Sequence, residues 1–123
     1  LHEMPNVRLL AANLRAKELV RKSLGVVCLT STLGFEAAVL NRPVITFGDV
    51  LYGYFPNVRM ISDYSALDES LNWAMTYEPV PSEQLLKATA AYVEFGAPGS
   101  FDFKASLGDK EALSSVAEAV AAT

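Results

Sequence analysis

The sequence predicts an α/β fold in which a Rossmann-like parallel sheet is flanked by helices. Three short apolar runs, at residues 26–30, 43–47 and 58–61, alternate with segments of helical periodicity. The connections between them are only a few residues long, which is typical of βαβ units. Because ligands of such sheets bind beyond the carboxyl ends of the strands, we look for the functional site there.

The first quarter of the chain is predicted to form a strand, a helix and a second strand. Asn6–Leu10 has the composition of a short strand, and Asn13 can cap the helix that follows. Gly25 is expected to end that helix in the left-handed conformation. Val26–Thr30 has four successive apolar residues, which predicts a central strand covered on both faces. The apolar stripe of the helix consists of Ala16, Leu19, Val20, Ser23 and Leu24.

The next segment is predicted as helix, strand and strand. A helix is expected from Ser31 to Leu40, and Asn41 can adopt the left-handed stop position after it. Pro43–Phe47 is a strand with proline at its first residue, where the missing N–H does least harm. Val58–Ile61 is the last predicted strand.

The remaining residues are predicted to be mainly helical. Ser65–Tyr77 and Ser82–Phe95 have helical periodicity, and the glycines and proline of residues 96–108 predict a loop. Asp109 can cap a final helix. We expect residues 1–123 to form a single domain that is a fragment of a longer chain.

Composition excludes several classes of function. The 14 acidic residues outnumber the 10 basic ones, which argues against a nucleic-acid partner. Cys28 is the single cysteine, so no internal disulfide is expected, and no Cys/His cluster implies a metal or cofactor. No apolar stretch approaches the length of a membrane helix, and we expect a cytoplasmic protein, with peripheral association at the inner membrane as an option. The hydrophobic content of 51% suggests a face for another domain or for a homo-oligomer.

Hydroxyl side chains mark the end of the second predicted strand. Thr30, Ser31 and Thr32 lead directly into a helix start, where free N–H groups and the helix dipole attract an anion such as phosphate. Gly34 would let a ligand or a strand approach the first turn closely. The plainer interpretation is that the hydroxyls only cap the helix and the glycine only permits close packing.

Glu36 lies four residues after Thr32 and therefore on the same helix face, one turn further along. A carboxylate at that place can accept hydrogen bonds from the two hydroxyls of a ribose whose phosphate is held at the helix start. This predicts a nucleotide site. The alternative is that an acidic residue in the first turns merely interacts with the helix dipole.

Residues 31–52, STLGFEAAVLNRPVITFGDVLY, resemble the nucleotide-sugar-binding C-terminal half of GT-B glycosyltransferases. Within that class they look most like the capsule polysaccharide biosynthesis proteins, which include the Kdo transferases of capsule export. The shared pattern is a hydroxyl pair, Gly, Glu-Ala, a helix end at Gly-Lys-Pro, a strand, Gly and a tyrosine. Asn41-Arg42 replaces the usual Gly-Lys, and the His-Pro pair that normally precedes this region is absent. The likeness extends over about residues 6–62.

The resemblance implies a donor-binding domain of a glycosyltransferase. Ser31 and Thr32 would hold the donor phosphate, Glu36 the ribose or base, and the loop from Gly48 to Tyr52 would face the cleft. The donor would be a nucleotide-sugar, with CMP-Kdo as one candidate, and the acceptor a growing surface glycan. GT-B enzymes need a second Rossmann domain, so a missing N-terminal domain of the same chain is expected to carry the catalytic residues.

Two other functions fit the sequence. A nucleotide-sugar epimerase or a glycerophosphate-type polymer transferase would share this domain, and its catalytic His and Asp residues would lie upstream. A non-catalytic α/β module would use the hydrophobic excess for assembly and would show no nucleotide affinity.

Overall fold

A computed structural model describes residues 4–11 and 13–95, and three parallel strands form its sheet. The strands are β1 (Val26–Cys28), β2 (Val44–Thr46) and β3 (Val58–Met60), in the order β1-β2-β3. The first residues of the three strands lie side by side in register. The predicted α/β class with a Rossmann-like parallel sheet is confirmed.

Four α-helices accompany the sheet in the described residues: α1 (Ala16–Lys22), α2 (Thr32–Val39), α3 (Leu67–Met75) and α4 (Ser82–Phe95). Helix α2 covers the face to which Cys28 belongs, because the Cys28 thiol lies against the backbone of Gly34. Helix α3 covers the opposite face, where the guanidinium carbon of Arg59 lies 4.5 Å from the centroid of the Trp73 ring. Because side chains of successive strand residues point to opposite faces, Cys28 and Arg59 show that a helix packs on each face of the sheet.

The core lies between β2 and α2. All three residues of β2 are buried, and Ala37 and Ala38 of α2 have no exposed surface. Phe55 adds the largest fully buried side chain and meets Phe35 edge to face, with the ring centroids 5.9 Å apart. Burial on both faces explains why β2 is uniformly apolar except for Thr46, whose hydroxyl is hydrogen-bonded.

The prediction that residues 26–30 form a central strand is wrong. The strand ends at Cys28 and lies at the edge of the described sheet, and Val27 is 51% exposed. An apolar run indicates burial but does not specify strand order, and here β2 occupies the centre.

The predicted strand Asn6–Leu10 is also wrong. Pro5 and Asn6 form a turn, and residues 7–10 have no strand structure and are exposed. A strand needs a neighbour to satisfy its N–H and C=O groups, and within the described residues none pairs with this segment.

Helix α1 differs from its prediction at both ends. Its N-cap is Arg15 rather than Asn13, with no side-chain cap hydrogen bond. At the other end Ser23 stops the helix, and its hydroxyl donates to Val20 O at 2.8 Å. Gly25 does not have a positive φ, contrary to expectation. Glycine is needed there because a Cβ would lie 2.9 Å from the carbonyl oxygen of Pro43.

The later elements agree more closely with the sequence. Asn41 ends α2 with φ 58°, which confirms the predicted left-handed stop. The predicted helix from Ser65 begins instead as a 3₁₀ turn, Tyr64–Ala66, whose Ser65 N–H donates to Asp63 Oδ1 at 2.8 Å. Helix α4 has the predicted bounds.

The chain divides into two compact units, Leu1–Ala88 and Thr89–Thr123. The sheet and the predicted site residues belong to the first unit. The predicted loop at residues 96–108 and the final helix after it lie outside the described residues.

Candidate functional site

The segments that follow β1 and β2 meet beyond the carboxyl ends of these strands. A Cβ at Gly48 would lie 2.8 Å from Thr30 Cγ2, so the two chain segments are in direct contact. The buried Thr46 hydroxyl donates to Leu29 O and joins the same segments. These contacts fix the position of the segment from which helix α2 starts.

Ser31 is the N-cap of α2. Its Oγ accepts a hydrogen bond from Leu33 N at 3.1 Å, and its extended backbone, φ −73° and ψ 142°, is that of an N-cap residue. Ser31 and Thr32 are both exposed. The hydroxyls therefore lie at an accessible helix start, where the helix dipole favours an anion. The N–H groups of Leu33 and Gly34 already donate to Ser31 Oγ and Ser31 O.

Tyr52 supports this helix start from inside the domain. Its buried phenol donates to Ser31 O at 2.6 Å and lies 3.8 Å from Cys28 Sγ. Gly34 makes room for it, because a Cβ there would be 2.3 Å from the phenol oxygen. The structure thus places Gly34 against Tyr52, and gives Tyr52 a partner on the backbone of Ser31.

Glu36 lies away from that cluster, in a cleft between α1 and α2. The α1–α2 cleft has a volume of about 440 Å³, and a second pocket that shares Glu36, Lys17 and Arg21 has about 210 Å³ and continues along α2 to Leu40. The larger space is lined by Arg15, Ala16, Lys17, Glu18, Arg21 and Glu36.

The charges of the α1–α2 cleft are largely unpaired. Glu36 is half-buried, and among the described residues it makes no hydrogen bond or ion pair through its carboxylate. Lys17 and Arg21 likewise have no ion-pair partner in this part of the chain, whereas Arg15 lies 3.6 Å from Glu18. Within the described residues the cleft therefore combines the unpaired cations of Lys17 and Arg21 with the available carboxylate of Glu36, in a chain of net charge −4.

The seven predicted site residues fall into two groups. Thr30, Ser31, Gly34, Gly48 and Tyr52 cluster where β1, β2 and the start of α2 meet, with Thr32 exposed beside them. Glu36 alone enters the cleft. Whether these residues contact a ligand remains a prediction.

Sequence reasoning missed the cationic wall of the cleft. Lys17 and Arg21 are four residues apart, which places them on one face of the helix, and this spacing was the signal available in the sequence. It also missed Thr46, a hydroxyl inside an otherwise apolar strand, which was the available signal for the contact between strand ends.

The residues described include no group of three or more His, Cys, Asp or Glu side chains placed to hold a metal ion. None of the helices in the described ranges has the length and apolar character needed to cross a membrane.

The comparison with known families agrees with this architecture. The sequence pattern described as capsule polysaccharide biosynthesis protein matches residues 1–93, which is most of the chain and includes the whole sheet and both groups of site residues. The chain belongs to this family. No curated protein and no solved structure matches it. The family membership supports a role in capsule synthesis.

Proposed function

We propose that this member of the capsule polysaccharide biosynthesis family is the donor-binding domain of a glycosyltransferase. It would bind a nucleotide-sugar whose sugar is transferred to a glycan acceptor. The observation that carries the proposal is the half-buried carboxylate of Glu36, which has no protein partner among the described residues and lies beside Lys17 and Arg21 in an open cleft.

The carboxylate of Glu36 fits a ribose. Partial removal from water weakens its solvation, and a diol that donates two hydrogen bonds would restore those interactions. Lys17 and Arg21 lie in the same cleft but form no ion pair with it, so the carboxylate is not sequestered by a protein cation. The cations would instead attract the negatively charged nucleotide as a whole.

The start of α2 fits the phosphate of the same ligand. Ser31 and Thr32 are exposed there, and the helix dipole favours negative charge. With a rise of about 1.5 Å per residue, Glu36 lies about 6 Å further along the helix axis than Thr32, which shares its face. This separation is comparable with the span from the 5′-phosphate of a nucleotide to its ribose hydroxyls.

Gly48 and Tyr52 would act in support. The contact of Gly48 with Thr30 and the bond from Tyr52 to Ser31 O hold the loop and the helix start together. Their contribution to nucleotide binding would be the placement of residues 30–32.

Calorimetric titration of CMP and UDP tests the ribose contact. We expect Glu36→Gln and Glu36→Ala to weaken nucleotide binding by about 1–3 kcal/mol, which is the range for hydrogen bonds to a charged group. Glu83→Gln is the matched control, because that exposed glutamate forms an ion pair with Lys87 on α4 and does not line the α1–α2 cleft. This variant should bind nucleotide as the wild type does. Equal affinity in the wild type and in both Glu36 variants would refute the ribose role.

A further inference from the structure

An aromatic pair, half-buried Phe47 and exposed Tyr64, lies beyond the carboxyl ends of β2 and β3. Phe47 directly follows β2, and Tyr64 opens the 3₁₀ turn after β3. Their ring centroids are 5.3 Å apart with an interplanar angle of 41°. The N–H of Ile61 donates to Thr46 O at 2.8 Å, so the two segments leave the sheet side by side.

Tyr64 differs from Tyr52, Tyr54 and Tyr77 in its hydrogen bonding. The hydroxyls of Tyr52, Tyr54 and Tyr77 each donate a hydrogen bond inside the domain. Tyr64 is 76% exposed, and its hydroxyl bonds to none of the described residues. Its backbone is held nonetheless, because Asp63 caps the turn that carries it. A largely solvated ring on a capped turn contributes little to the core and is available to a ligand.

The pair lies at the same end of the sheet as the proposed donor site. Phe47 precedes Gly48, which contacts Thr30 at the end of β1. The pair therefore lies at the same edge of the sheet as the start of α2, where the phosphate is proposed. In a nucleotide-sugar the sugar extends from the phosphate on the side opposite the ribose, while Glu36 occupies the ribose side.

We propose that Phe47 and Tyr64 form a platform that binds a pyranose ring. This inference rests on the proposed function. One face of many pyranoses is a set of C–H groups, which are apolar and weakly positive, and the face of an aromatic ring is negative. Stacking would remove both surfaces from water, and the hydroxyl of Tyr64 could bond to a sugar oxygen at the rim.

Titrations followed by NMR of the aromatic side chains test the platform and identify the source of the ring. Three probes are used. UDP carries no pyranose, UDP-glucose carries a donor-type pyranose, and maltohexaose carries acceptor-type pyranoses. We expect the Tyr64 ring signals to shift with UDP-glucose, with maltohexaose, or with both, and to stay in place with UDP. A shift with UDP-glucose alone assigns the platform to the donor sugar, and a shift with maltohexaose assigns it to a glycan.

Variants then measure the contribution of the ring. Tyr64→Ala should weaken binding of the pyranose ligand about fivefold and leave UDP binding unchanged, whereas Tyr64→Trp should retain it. Leu86→Ala removes a highly exposed apolar side chain on α4, outside the proposed site, and serves as the control. The platform is disproved if neither pyranose probe shifts the Tyr64 signals, if UDP shifts them equally, or if Tyr64→Ala and the control behave alike. If Glu36→Gln leaves UDP binding unchanged while Tyr64→Ala still weakens pyranose binding, the proposed ribose contact is overturned and the platform is retained.

Discussion

The two ends of the parallel sheet are built differently. At the amino ends of β2 and β3, side-chain amides donate to the backbone of neighbouring segments, and the Tyr77 phenol donates to Asn41 Oδ1 and accepts from Val80 N. At the carboxyl ends, Thr30, Ser31 and Thr32 are exposed, and one buried phenol supports them from below. One end is closed by hydrogen bonds, and the other leaves polar groups available.

Two asparagines organise the closed end. Asn57 is fully buried, and its Nδ2 donates to Ala38 O at 2.9 Å and to Arg42 O at 2.8 Å. Asn41 donates to Val80 O at 2.8 Å, and its Oδ1 accepts from the Tyr77 hydroxyl at 2.7 Å. These bonds tie the end of α2 to the segments before β3 and α4.

The comparison teaches where this fold obtains its stability. The exposed hydroxyls of the open end make fewer bonds to neighbouring segments than the buried amides of the closed end, so the closed end should contribute more to stability. Substitutions at the closed end should therefore reduce the free energy of unfolding most, and those at the open end should reduce it least.

The largest loss is expected for Asn57→Ala at the closed end. The change removes the hydrogen bonds to Ala38 O and Arg42 O and leaves a cavity at a fully buried site, although Ala38 O keeps its bond from Asn41 N. The free energy of unfolding should therefore fall by about 3 kcal/mol. Urea denaturation measures it. Asn72→Ala, on the exposed surface of α3, is the control and should change stability by less than about 0.5 kcal/mol. Similar losses in both variants would contradict the closed-end interpretation.

Gly34→Ala should cause the next largest loss in the free energy of unfolding. Gly34 lies beneath the open end. The new Cβ would overlap the Tyr52 phenol oxygen and displace it from Ser31 O, at a cost of about 2 kcal/mol despite the better helix propensity of alanine. Combining it with Tyr52→Phe removes the overlapping oxygen. The double variant should then lose less stability than the sum of the single variants, and simple additivity would count against this contact.

Ser31→Ala should cost less, about 1 kcal/mol, since it removes only the cap bond from Leu33 N. Thr32→Ala is the neighbouring control and should stay within about 0.5 kcal/mol of the wild type. Thermal or urea unfolding distinguishes the two. If Thr32→Ala proved the more damaging, Ser31 would not be the functional cap.

The smallest effect is a pH dependence at high pH. Burial raises the pKa of Tyr77 above its ordinary value of 10.0, although the N–H of Val80, which bonds to the phenol oxygen, lowers it. A raised folded-state pKa contributes stability below the unfolded pKa, and this contribution is lost as the pH rises through the folded value. Alkaline titration of phenolate absorbance, compared between wild type and Tyr77→Phe, should show one tyrosine titrating late. A Tyr77 that titrates at its ordinary pKa would show that burial has no such effect.

Local patterns predicted the parts that depend on local physics. The bounds of α4 and the left-handed Asn41 were predicted correctly, because helical periodicity and the stop position depend on nearby residues. Residues 6–10 were predicted wrongly as a strand because a strand also needs a partner, and composition says nothing about partners.

The candidate site was predicted only in part for the same reason. Residues 30–32 were located at a strand end and a helix start, where the structure places them. The cationic side chains opposite Glu36 and the aromatic pair of Phe47 and Tyr64 were not recognised, because each arises from elements that meet only in the folded chain.

By itself, then, the sequence determined the α/β class, the order of strands and helices after residue 26, and the helix that carries Ser31 and Glu36. Only the tertiary structure decided that β1 lies at the edge of the described sheet, that Tyr52 supports Ser31, and that Glu36 enters a cleft with Lys17 and Arg21. Periodicity, caps and stops act over a few residues of chain. Strand order and the pairing of side chains depend on contacts between residues that are distant in sequence.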